Sequence, residues 1–307
     1  MNQIEIPKLT LSPVLTKKET DNLRGRYATD NDYKILINDD CDAYTDDGEP
    51  LFFFRKGKIP KEVCETAFYN LRNAATKTEN RGTAAGPLDS DDQIGHKTIS
   101  THRYREIKQD GTLSKVMRAK KVNSGIAGYF DRNTRFPYCR QTAFTEKNKD
   151  AFSKSIPFLK FISHMFEEAC PERYQAQKKV VDQSSKDFII TDTVFSTVTV
   201  NKNFQTAYHT DAGDLKEGLG NLAVLSAGKY QGGYTVMPRY DCAFDLSSGD
   251  VCYFDVHQVH GNTKMDSKTP YERVSIVCYY RENIKYCKTM EEELERAKKR
   301  KEGDKIN

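Results

Sequence analysis

The chain has 307 residues, of which 37% are hydrophobic and 30% charged, with 16 Phe and 17 Tyr. That aromatic load excludes a disordered chain, and no apolar run approaches the ~20 residues of a membrane span. A net charge of +4, from 48 basic and 44 acidic residues, permits a nucleic-acid partner without demanding one.

No basic segment followed by an apolar stretch opens the chain, so secretion is not expected. Short strands are expected at 34–37 and 51–54, on either side of an acidic stretch. Pro60 marks a helix start, and Val63, Ala67, Leu71 and Ala74 share a face of that helix. A long polar loop covers 81–96. A second helical stretch runs over about 152–183, with a break at Pro171. From 188 to 280 the pattern changes to β-branched and aromatic runs divided by Gly, Pro and Asp. Five or more such strands predict an antiparallel sandwich or barrel. The last 20 residues read as an exposed charged helix that frays into solvent. The eight cysteines include no Cys-x-x-Cys pair. All eight are expected to be unpaired and buried, in a reducing intracellular compartment.

Histidine is scarce, with six in the chain, and His209 stands two residues before Asp211. Period-two alternation puts an imidazole and a carboxylate at that spacing on one side of an extended segment. A distal histidine would complete a facial triad for non-haem iron(II). His260 lies 49 positions after Asp211, leaving room for about four strands of a double-stranded β-helix. His257 competes with it for the third ligand. The glycine after His260 and its nearness to Arg273 favour His260, which leaves His257 as a substrate-side or supporting residue. Arg273 and Ser275, on one face of the last strand, are suited to a 2-oxoglutarate carboxylate, which a planar guanidinium holds by two bonds.

The segments 124–132 and 139–142, Thr199-Val200-Asn201, His209–Asp214, 255–262 and Arg273-Val274-Ser275 together resemble the TET/JBP group of nucleic-acid-modifying dioxygenases. The likeness covers roughly 120–285 and is greatest to small viral and phage-type members, which implies a virus- or phage-encoded chain. It implies a mainly β fold with flanking helices around a double-stranded β-helix, jelly-roll-like core. It also implies Fe(II), 2-oxoglutarate and O2, and oxidation of a pyrimidine 5-methyl group in DNA. Carried onto this sequence, His209, Asp211 and His260 become the metal ligands and catalytic centre. Arg273 and Ser275 become co-substrate anchors, and Arg140 a further contact to co-substrate or phosphate. Methylcytosine-oxidising animal enzymes carry asparagine where this chain has Asp214. A carboxylate accepts from thymine N3–H or from a cytosine amino group, so this departure from the family pattern takes away the implied cytosine specificity and leaves thymine open beside 5-methylcytosine.

The base must be flipped or single-stranded to reach a buried iron, and Tyr129, Phe130 and Tyr208 are candidates to stack on it. Arg118, Lys120, Lys121, Arg132 and Arg135 fall in the stretch 118–135, five basic residues against one acidic, and are expected on phosphates. The resulting division is a mixed α/β extension over 1–95, a dioxygenase domain over 96–287 and a charged tail over 288–307. A peptide side-chain hydroxylase using the same iron and co-substrate residues is the alternative.

Overall fold

Alternation along the strand Glu272–Tyr279 organises the molecule. Val274, Ile276 and Cys278 are fully buried against a helical layer. Arg273, Ser275, Val277 and Tyr279 take the other face and line a cavity. The computed structural model describes residues 5–89, 95–211 and 213–303. In its ten-stranded mixed sheet this strand lies between Gly220–Ala227 and Thr197–Lys202. Val251–Phe254 and Pro50–Arg55 extend the sheet on one side, and Val122–Phe130 on the other.

A second sheet of Gly261–Asn262, Thr235–Met237, Cys242–Phe244 and Ile35–Ile37 faces the first. Between them Phe52, Phe54, Leu222, Val224 and Phe254 meet Met237, Cys242 and Phe244, with Phe52 and Phe244 edge to face at 4.7 Å. This is the jelly-roll core. On the outer face of the large sheet, helix Lys149–Ala169 buries Phe158, Leu159, Ile162, Met165 and Phe166. Each such side chain contributes roughly 1.5–3 kcal/mol when taken from water. The ring of Tyr253 stacks on Phe166 at 5.4 Å, and its hydroxyl donates to the Ile162 carbonyl. Helix Lys61–Leu71, with Pro60 at its N-cap, packs alongside. The stretch expected as one broken helix divides at Pro171, the first residue of helix Pro171–Asp182. Among the described residues no helix is long and apolar enough to cross a membrane.

Residues of the N-terminal extension are woven into both sheets. Phe52 stands in register with Phe254, and Ile35–Ile37 runs parallel to Cys242–Phe244. Two expectations need correction. Cys139 and Cys287 form a disulfide across a separation of 148 residues, which no local spacing could reveal. The other six cysteines are free and buried. The C-terminal helix Met290–Gly303 is not simply a solvated tail. Glu293 is fully buried, pairs with Arg132, and accepts from the Cys139 and Lys288 amides.

Candidate active site

His209 and His260 face each other across an isolated antiparallel bridge, exchanging backbone hydrogen bonds of 2.9 and 3.0 Å. Asp211 is fixed nearby by its amide, which donates to the Val256 carbonyl at 3.0 Å. The ligand atoms of the three side chains lie within 4.8 Å of one another. Each imidazole Nδ1 lies against a main-chain carbonyl, Ala207 for His209 at 2.8 Å and Gln258 for His260 at 2.9 Å. The hydrogen-bond pattern therefore assigns the proton to Nδ1 and leaves both Nε2 lone pairs turned toward Asp211, at 3.5 and 3.8 Å. Burial pushes His260 down to about 4, which keeps its ring neutral. Burial also opposes ionisation of Asp211, but the hydrogen bond and charge of His209 outweigh it and hold the carboxyl low. Burial works against a charge on His209 as well, but the hydrogen bond and charge of Asp211 raise it above its ordinary range. Two imidazoles presenting Nε2 and one carboxylate in this arrangement fit a divalent iron with open positions.

From the triad a cavity of about 360 Å³ extends along the inner strand face. At one end the buried Arg273 donates from Nη2 to the Gly233 carbonyl at 3.1 Å. Its Nε is buried without a partner, and no acid pairs with it among the described residues. Ser275 lies one alternation along, and Thr235, Asn262 and Phe254 close the walls. A buried cation with an unused donor suits a carboxylate ligand, as 2-oxoglutarate requires. At the other end Asp214 and Arg281 oppose each other in a backbone bridge. Arg281 is held by Asp131 at 2.8 Å. One oxygen of Asp214 is buried and unpartnered, and burial, then repulsion from Asp211, raises its carboxyl well above the ordinary range. Arg81 closes the same end, anchored to Ser124 Oγ at 2.6 Å.

Thus His209, Asp211, His260, Arg273, Ser275 and Asp214 share one cavity. The remaining expected residues do not line it. Tyr208 is fully buried among Ala28, Val236, Ala243 and Val259, with no ring face left for a base. Tyr129 packs on Phe188 at 5.7 Å. Phe130 lies between two guanidinium groups, with Arg140 at 4.8 Å and Arg281 at 5.7 Å, and Arg140 also covers Phe136. His257 turns to Asp255, its Nδ1 3.1 Å from a carboxylate oxygen. Of the five cations expected on phosphates, Lys120 is buried on Asp89, Tyr27 and the Pro87 carbonyl. Arg118 pairs with Glu79 and Glu106, and Arg132 with Glu293. Arg81 and Arg281 escaped the sequence reading. Continuing the alternation 273, 275, 277, 279 by one more step would have found Arg281.

Fold and site together define the jelly-roll oxygenase class. Residues 125–282 match the Tet_JBP family, the oxygenase domain of the 2OGFeDO superfamily, and the chain belongs to that family. Relatives include the bifunctional helicase and thymine dioxygenase JBP2 of Trypanosoma cruzi, 32% identical over 84% of this chain and 21% of that protein. Thymine dioxygenase JBP1 of Trypanosoma brucei brucei is 38% identical over 59% of this chain and 22% of its own length. The chain therefore spans about a fifth of the curated relatives it matches. Among solved structures, NgTET1 in complex with 5mC DNA superposes with a TM-score of 0.55 at 15% identity, covering 93% of this chain and all of that one, a likeness of fold.

Proposed function

We propose that this chain is an Fe(II)- and 2-oxoglutarate-dependent dioxygenase that oxidises the 5-methyl group of a pyrimidine in DNA, with thymine the favoured base. The observation that carries the reading is the His209–Asp211–His260 cluster sharing a cavity with a buried Arg273 that has no acidic partner. When bound, iron and 2-oxoglutarate supply the activation of O2, with the co-substrate decarboxylated to succinate as one oxygen atom enters the methyl C–H bond.

The protein's part is placement. His209, Asp211 and His260 would hold the metal on three adjacent positions and leave the rest for ligands. Arg273 would grip the distal carboxylate of the co-substrate, with Ser275 donating beside it. A base withdrawn from the helix would enter from the end where Asp214 and Arg281 stand. Asp214 would accept from thymine N3–H, and Arg281 would donate to a neighbouring carbonyl oxygen. The relatives named as thymine dioxygenases support thymine as the base. A DNA substrate supports an intracellular setting, although the Cys139–Cys287 disulfide is not what a reducing compartment favours.

Succinate release tests the reading. With iron, 2-oxoglutarate and O2 present, thymine-containing DNA should raise turnover well above the uncoupled rate, and DNA lacking 5-methylpyrimidines should not. Stimulation by prolyl or lysyl peptides, with none by DNA, would sink the proposal and favour a peptide hydroxylase.

A further inference from the structure

We propose that residues 96–121 form a wing that docks on double-stranded DNA beside the target base, a role resting on the DNA reading above. The three strands His96–Ser100, Arg103–Glu106 and Arg118–Ala119 make a separate small sheet that joins neither large one. Eight Lys and Arg stand here against two acidic residues, a net of +6 where the 118–135 stretch carries +4. Arg118 and Lys120 are committed to ion pairs. Lys97, Arg103, Arg105, Lys108, Lys115 and Lys121 form none with the described residues, and Arg105 Nε is buried without a partner. Lys97 even lies directly opposite Arg105 in the ladder. Like charges so placed destabilise a sheet, and a polyanion offsets that cost.

The wing's apolar side chains are placed outward. Ile99, Ile107, Val116 and Met117 are 39–59% exposed, four of the ten exposed large apolar residues among those described. Tyr104 and Ala119 are its buried ones. Cations interleaved with exposed aliphatic side chains suit a duplex whose backbone is gripped and whose loosened base step accepts an apolar wedge. Position agrees with charge. The Leu88 amide donates to the Thr101 carbonyl at 2.8 Å, and Thr101 lies close to Gly25, next to Arg24 on the cavity rim. A duplex on the wing would deliver its flipped base to the adjacent opening.

Fluorescence anisotropy with a short duplex over a range of salt concentrations tests this in the full chain. Replacing Lys97, Arg103 and Lys108 together by Gln should flatten the log–log salt slope by about 3, at about 0.9 per phosphate contact. Lys108→Gln alone, in an exposed turn, should remove about 0.9 and guards against misfolding of the triple variant. Val116→Ser with Met117→Ser should weaken duplex binding and leave the slope unchanged. Iron binding and the unfolding temperature of each variant report on its fold. An unchanged slope in variants of a wild type that oxidises DNA overturns the wing and leaves the DNA reading standing. A wild type that neither binds nor oxidises DNA overturns both. A wild-type dimer that the Val116/Met117 variant dissociates would assign the face to a second copy and overturn the proposal.

Discussion

Arg273 and Arg281 occupy the two ends of one strand face, with the triad between them, and their surroundings differ. Arg281 has an internal acid, Asp131, itself buried, so its charge is balanced and its guanidinium fixed. Arg273 is more deeply buried yet has one carbonyl bond and an unused Nε. Burying an unbalanced cation costs several kcal/mol in a folded protein unless something compensates it. A site that keeps such a cation awaits an anion; a site that supplies its own acid has built a positioned donor. On the proposed function, the difference puts the co-substrate at the Arg273 end and the base at the Arg281 end.

The sharpest break would come at the triad between the ends. Replacing His209, Asp211 or His260 by Ala should abolish measurable iron binding by anaerobic titration while leaving the unfolding temperature nearly unchanged. Retention of one iron per chain in any of them would detach the metal from this cluster. Next, Arg273→Lys should lower 2-oxoglutarate affinity by about 1.5–3 kcal/mol, since an ammonium cannot make the planar two-bond contact. Arg281→Lys separates the two ends. Co-substrate affinity should stay within about twofold, and KM for DNA should rise about tenfold, the scale of one charge-assisted bond. Equal effects on both ligands would collapse the distinction.

The smallest effect is expected at His257, outside the cavity. Its hydrogen bond to Asp255 outweighs partial burial and raises the imidazole above its ordinary range. Asp255 is held low by His257 and Gln258 despite burial. A raised histidine contributes stability that is present below its unfolded value and is lost as pH rises through the folded one. Wild type should therefore exceed His257→Gln by under about 1 kcal/mol in mildly acidic solution, with the gap closing toward alkaline pH. Chemical denaturation at several pH values would show it. A gap that widens with rising pH would reverse the assignment, and a loss of iron larger than in His260→Ala would exchange the two histidines.

What the sequence revealed follows from the range of the forces involved. The residues proposed for metal and co-substrate lie in short extended segments, where period two ties spacing to side-chain direction, so the shared cavity of His209–Asp211 and Arg273–Ser275 could be anticipated locally. The partner of His209 across the bridge, His260, needed chain order and the glycine beside it. Tyr208 and Lys120 were misread because an aromatic or cation shows its type in sequence but not its neighbours. Tyr208 is enclosed by four small or branched residues from distant segments, and Lys120 by Asp89 and Tyr27. The Cys139–Cys287 bond and the buried Glu293 depend on contacts more than 140 residues apart. The wing's charge was present in the sequence, but its separation from the large sheets appears only in the fold.

Nucleoside mass spectrometry of DNA treated with the iron-loaded protein, 2-oxoglutarate and O2 tests the central claim most directly. The account predicts 5-hydroxymethyluracil derived from thymine, formed in step with succinate and absent from the Asp211→Ala protein. Unmodified thymine and 5-methylcytosine in DNA, alongside succinate released with a peptide substrate, would contradict it.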